Sequence, residues 1–134
     1  FYCIIFFYLF FLSANSENKY LNDGIKLFDK KNYEDSKIKF EKDIVFNPKS
    51  ETSYLYLAKI FKEKKEQSLQ ENNLNTVLLL NPKNEEAVYL LALLNIEKSN
   101  FSKSKELIKN LNLLCNNFCN KIEELENKLE NSLK

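Results

Sequence analysis

A chain of 134 residues with 20 basic and 19 acidic side chains has the size of one domain and almost no net field, which excludes an electrostatic claim on nucleic acid. It has no His, no Arg and a single glycine, Gly24, so the commonest general base and metal ligand, any bidentate grip on phosphate and any Gly-rich phosphate loop are excluded together. The expectation is a non-catalytic chain with no cofactor and no metal, whose carboxylates lie among lysines on solvated helical faces.

Phe1 to Leu12, FYCIIFFYLFFL, is an unbroken apolar run followed by Ser13-Ala14 and the polar Asn15-Ser16-Glu17. This is the shape of a signal-peptide core with Ala14 before the cut. It falls short of the roughly 20 apolar residues that span a bilayer unaided. With more apolar residues upstream, the same run reads as an uncleaved anchor. Residues 1–14 are therefore taken as an address, and the chain is expected to be exported (periplasmic or secretory) or membrane-anchored. A core element of the folded domain is disfavoured, because a run without a polar face needs burial on all sides. Cys3 stands at the beginning of the run, whereas a lipid-modified cysteine stands at its end, so Cys3 belongs to the leader.

Beyond the leader the sequence repeats. Asn47-Pro48 and Asn81-Pro82 stand 34 residues apart, and the same spacing aligns Tyr20, Tyr54 and Val88. It also aligns the small residues Gly24, Ala58 and Ala92, the large apolar residues Phe40, Leu74 and Ile108, and the set Phe46, Leu80 and Leu114. Each window reads as two helices. In the first, Tyr20, Leu21, Gly24, Ile25, Leu27 and Phe28 recur at helical spacing, Lys30-Lys31-Asn32 ends the helix, and Glu34-Asp35 opens a second that runs to Phe46. Pro48 lacks a backbone donor and disfavours helix at Asn47, so the helix must stop there. The second window repeats this with Tyr54 to Phe61, Leu69 to Leu80 and Pro82, and the third with Ala87 to Ile96, the hinge Ser99-Asn100 and Ser104 to Leu114. A glycine inside a helix costs about 1 kcal/mol against alanine, so Gly24 marks close approach of the partner helix.

Cys115 and Cys119, in CNNFC, bracket the end of the third window. In an exported chain they suit a disulfide across a turn. Within a continuous helix their spacing fits that bond poorly and leaves two thiols, and with no His nearby they make a weak metal site. From Asn120 to Lys134 one more amphipathic helix follows, with Ile122, Leu125 and Leu129 as its stripe and Asn120 with Glu123 as a capping box. A helix that shields the last repeat is the expected role, and a short coiled-coil dimerisation segment is its rival.

The 34-residue pattern resembles the tetratricopeptide repeat (TPR) family over residues 17–118. The first repeat matches at Tyr20, Gly24, Tyr33, Phe40 and Pro48, and the second at Tyr54, Ala58, Phe61, Leu74 and Pro82. The second departs at Gln67, where the family prefers an aromatic, and at Gln70, where it prefers alanine. The third keeps Ala92, Phe101 and Ile108 but has Asn116 in place of proline. The resemblance implies an all-α fold, a right-handed α-solenoid of three helix-turn-helix repeats (17–50, 51–84 and a degenerate 85–118) closed by a C-terminal capping helix, 119–134.

It also implies a concave groove lined by the first helix of each repeat, with Leu21, Ile25 and Phe28, then Leu55, Lys59 and Lys62, then Tyr89, Leu93 and Ile96. A groove apolar at both ends with a basic middle suits a helix or extended segment of another protein that carries an acidic residue. The basic clamp by which chaperone-binding members hold a terminal carboxylate is not visible, because Leu21 and Ile25 stand where it needs polar groups. The partner expected is another protein and not nucleic acid, with a membrane tether through the N-terminus where the leader is an uncleaved anchor. Self-assembly into a homo-oligomer, and a piece of a larger repeat protein, are the alternatives.

Overall fold

A computed structural model describes residues 19–134, so the expected leader, residues 1–14, lies outside the described residues. The first helix, α1, covers residues 19–29. It is followed by α2 (Tyr33–Phe46), α3 (Glu51–Glu63), α4 (Gln67–Leu80), α5 (Glu85–Glu97), α6 (Phe101–Leu114), a single 3-10 turn (Cys119–Lys121) and α7 (Ile122–Ser132). The fold is all-α: α1 with α2, α3 with α4 and α5 with α6 form three hairpins, and α7 closes the last.

The hairpin turns follow one design. Lys31, Lys65 and Ser99, each 34 residues from the next, adopt φ of 58°, 59° and 58°. Each ends its helix with the same pair of bonds, in which the left-handed residue donates to the carbonyl three back and the next residue to the carbonyl five back. Asn32 and Asn100 then cap α2 and α6 through their side-chain oxygens. Asn100 brings the start of α6 forward to Phe101, ahead of the expected Ser104. α2 and α4 end at Phe46 and Leu80, immediately before the Asn-Pro pairs.

Inside each hairpin the small residue is the crossing point. A Cβ on Gly24 would meet Phe40 Cε1 at 2.8 Å, so the fully buried ring of Phe40 occupies the space a methyl would need. The Ser36 hydroxyl donates to the Gly24 carbonyl at 2.8 Å, and Ser104 donates to that of Ala92 at 3.2 Å, the same bond two repeats on. In the middle hairpin the equivalent place is held by Gln70, which is buried.

The core has two parts. The first hairpin packs Phe40 with Leu57, Ile60 and Phe61, around which Leu21, Ile25, Phe28 and Tyr56 gather. The second, larger part runs from α3 to α7 and centres on α5. The sequence of α5, EEAVYLLALLNIE, is apolar on all sides, and every residue from Ala87 to Ile96 except Tyr89 is buried. Leu125 and Leu129 of α7 complete this core.

The capping box expected at Asn120 is absent. Asn120 lies within the 3-10 turn, and α7 starts at Ile122 after Lys121, whose backbone is already helical and whose side chain caps nothing. The chain enters α7 directly from a helical turn, so no extended residue precedes it to serve as a cap.

Candidate binding face

Leu21, Ile25 and Phe28 share one side of α1 and are all half-buried. The Phe28 ring meets Tyr56 edge-on at 5.0 Å and Tyr33 at 5.4 Å, which anchors this strip to the first-hairpin core.

The middle of the expected groove is not an open basic patch. Lys59 forms an ion pair with Glu86 of α5 at 2.6 Å and lies 4.7 Å above the ring of Tyr56 on its own helix, so its charge is already taken up. Leu55 beside it is 8% exposed and belongs to the core. Lys62 remains exposed, at a recess of about 380 Å³ that it lines with Lys65, Gln67, Gln70 and Glu97.

The third-repeat end is closed. Leu93 and Ile96 are 6% and 8% exposed, buried in the larger core rather than offered to a ligand. Tyr89 is held by the terminal segment: its hydroxyl donates to Glu124 at 3.1 Å and its ring stands 5.7 Å from Phe118. Burial, then the Glu124 carboxylate, pushes the Tyr89 phenol above its ordinary range, while Lys121 holds Glu124 below its own. Of the expected groove residues, those of α1 and Lys62 thus present surface, and Leu55, Leu93 and Ile96 do not.

Two glutamates join the second and third hairpins to the loops that follow them. Glu51, the first residue of α3, accepts from the side-chain amides of Asn81, at 3.0 Å, and Asn84. Glu85, the first residue of α5, accepts three successive backbone N–H groups, of Asn116 and Asn117 at 2.9 Å and Phe118 at 2.8 Å. The Asn116 N–H, with those of Phe118 and Asn117, holds the Glu85 carboxyl below its ordinary value. The signal was in the sequence, since Glu17, Glu51 and Glu85 keep the 34-residue spacing, but a search restricted to core residue types passes over it.

Beside this clasp, Cys115 and Cys119 form a disulfide with Cα atoms 5.1 Å apart. The helix breaks between them, as α6 ends at Leu114 and the 3-10 turn begins at Cys119, so the poor fit of a continuous helix does not arise. No group of three or more His, Cys, Asp or Glu able to hold a metal occurs among the described residues.

No protein-family profile matches the sequence, and no curated protein matches it. Solved structures match the fold. A tetratricopeptide repeat protein from Parabacteroides merdae ATCC 43184 superposes with a TM-score of 0.80 at 20% identity over 87% of this chain, which spans 45% of that protein. The first TPR of Spaghetti (RPAP3), solved bound to the HSP90 peptide SRMEEVD, gives 0.79 at 15% identity, covering 90% of this chain and 95% of that one. The type III secretion translocator chaperone SycD of Yersinia enterocolitica gives 0.79 at 13% identity, over 90% and 85%. The fold is therefore that of the tetratricopeptide repeats.

Proposed function

We propose that this chain is an adaptor of the cell envelope or secretory compartment that binds a segment of another protein along its first helices. The observation that carries this reading is the half-buried strip Leu21, Ile25 and Phe28 on α1, in the hairpin farthest along the chain from α7. An apolar helix or extended segment laid on this strip gains its affinity from burial, and an acidic residue further along meets exposed Lys62. Because Leu21 and Ile25 stand where a carboxylate grip needs polar groups, the preferred ligand is an internal apolar segment rather than an acidic chain end. The apolar run Phe1–Leu12 and the Cys115–Cys119 disulfide both favour an exported or membrane-anchored chain, since disulfides persist in oxidising compartments.

The test is affinity capture by the tagged full chain from a detergent extract of its own envelope, beside an Ile25→Glu, Lys62→Glu variant of unchanged helicity. A protein retained by the wild type and lost by the variant supports the adaptor. Recovery of the same proteins by both baits, or of the chain's own copies alone, refutes it.

A further inference from the structure

The period that places the core also places residues the core does not use. Val45, Leu79 and Leu113 stand 34 residues apart, and each is the penultimate residue of the second helix of its hairpin. They are 74%, 83% and 78% exposed, and Phe46 beside Val45 is 52% exposed. Single exposed apolar residues are ordinary, but the same position left apolar and bare in three successive hairpins makes a row along one end of the stack.

That end is also where the chain enters. Tyr20, at the start of α1, stacks on Phe46 at 5.7 Å with the rings 10° from parallel. The described chain therefore begins at the end of the stack that carries the row.

Lysines are frequent at this end. Lys42 and Lys109 lie within a turn before Val45 and Leu113, and Lys49 and Lys83 follow the Asn-Pro pairs beyond Val45 and Leu79. None of these four makes an ion pair among the described residues. Most of the nearby carboxylates are engaged, Glu51 by Asn81 and Asn84, Glu85 by three backbone N–H groups, Glu86 by Lys59, and buried Asp43 by Ser53 at 2.5 Å, while Glu123 in the first turn of α7 is exposed and Glu126 shares a recess with Lys109.

We infer that this end of the solenoid rests on an anionic lipid surface, the bilayer that the Phe1–Leu12 run enters. Bare apolar side chains flanked by lysines are the chemistry of interfacial membrane contact, with the side chains in the acyl boundary and the ammonium groups among anionic headgroups. Three such side chains are too few to recruit a domain from solution. Beside an inserted segment the contact becomes intramolecular, and the row then sets orientation. The inference rests on the membrane-anchored form of the reading above. It turns the α1 strip sideways to the bilayer, within reach of a partner's juxtamembrane segment.

The chain contains no Trp, so a single introduced indole reports its own surroundings. The full chain carrying Leu79→Trp, or Leu113→Trp as a second reporter, is reconstituted into phosphatidylcholine–phosphatidylglycerol vesicles with spin-labelled lipid. Ser68→Trp, exposed at the opposite end of α4, serves as the control. The expected result is flotation of all three variants, with a blue shift and loss of most emission for the Leu79 and Leu113 variants alone. Lys49→Gln with Lys83→Gln should restore part of that emission. Flotation with equal, weak quenching at both ends overturns the orientation and leaves the anchor standing. Failure to float overturns both. A blue shift without lipid quenching, accompanied by chain-to-chain crosslinking, assigns the row to a second copy and overturns the inference.

Discussion

Replacing Gly24 with alanine sets two opposed effects against each other. Alanine is favoured over glycine inside a helix by about 1 kcal/mol. The added methyl, however, would meet three atoms of the Phe40 ring at 2.8 to 3.0 Å, and that ring is 0% exposed, so moving it disturbs its packing. Overpacking of this kind costs about 1–3 kcal/mol, so the net expectation is a loss of about 1 kcal/mol, opposite in sign to the helix preference. The later hairpins contain the remedy: Ala58 faces the place of Leu74, and Ala92 that of Ile108. Phe40→Leu alone leaves a cavity, but with Gly24→Ala it reproduces the second hairpin's own pairing. The double variant should thus be more stable than the sum of the two single losses, by a coupling of about 1–2 kcal/mol. Urea unfolding of the full chain in mild detergent, followed by helical circular dichroism, measures all four corners of this cycle. Additive losses, or a stabilised Gly24→Ala single variant, would refute the claim that the aromatic ring explains the glycine.

Other outcomes follow from the turns and clasps. The Glu85 carboxyl has its folded pKa depressed, so its contribution is fully present above the ordinary value near 4.5 and is lost as pH falls through the depressed value. Glu85→Gln should therefore have a lower melting temperature than wild type at neutral pH, with the difference shrinking as the pH is taken below 4.5; a constant difference would count against the clasp. Reducing Cys115–Cys119, which closes a very short loop, should cost about 2 kcal/mol and raise amide exchange in α7 before α3; identical melts with and without reductant would contradict this. Lys65→Gly should raise stability by about 0.5–1 kcal/mol, because lysine at positive φ carries a penalty that glycine escapes, whereas Lys65→Val should lower it; chemical denaturation distinguishes the two.

The period and the hairpins were legible because each repeat buries the same kinds of residue at the same places. Gly24 with Phe40, the two prolines and the apolar α7 stripe all report packing, which is what hydrophobic patterning encodes. The binding face was less legible. Its residues were placed through the resemblance alone, and the resemblance does not register that α5 is apolar on every side or that Lys59 has Glu86 within reach. The turns at Lys31 and Ser99 were legible as helix ends, but their left-handed backbone was not. Lys31, Lys65 and Ser99 at positive φ are residues with little preference for that conformation, so only their shared spacing marks them. The exposed row at Val45, Leu79 and Leu113 keeps that spacing too, and a search for core residues counts it as core.

The clasps made by Glu51 and Glu85 bear on how such a chain changes length. Each glutamate opens a hairpin and holds the loop that follows the same hairpin, so the second and third repeats are each tied head to tail as a closed unit. Adding or removing one residue inside a unit would draw the loop away from its carboxylate and turn the next helix by about 100°. A whole unit can be gained or lost with both knots intact. Length variation in chains built this way is accordingly expected in steps of one repeat, with smaller insertions confined to the segments before α1 and after α7.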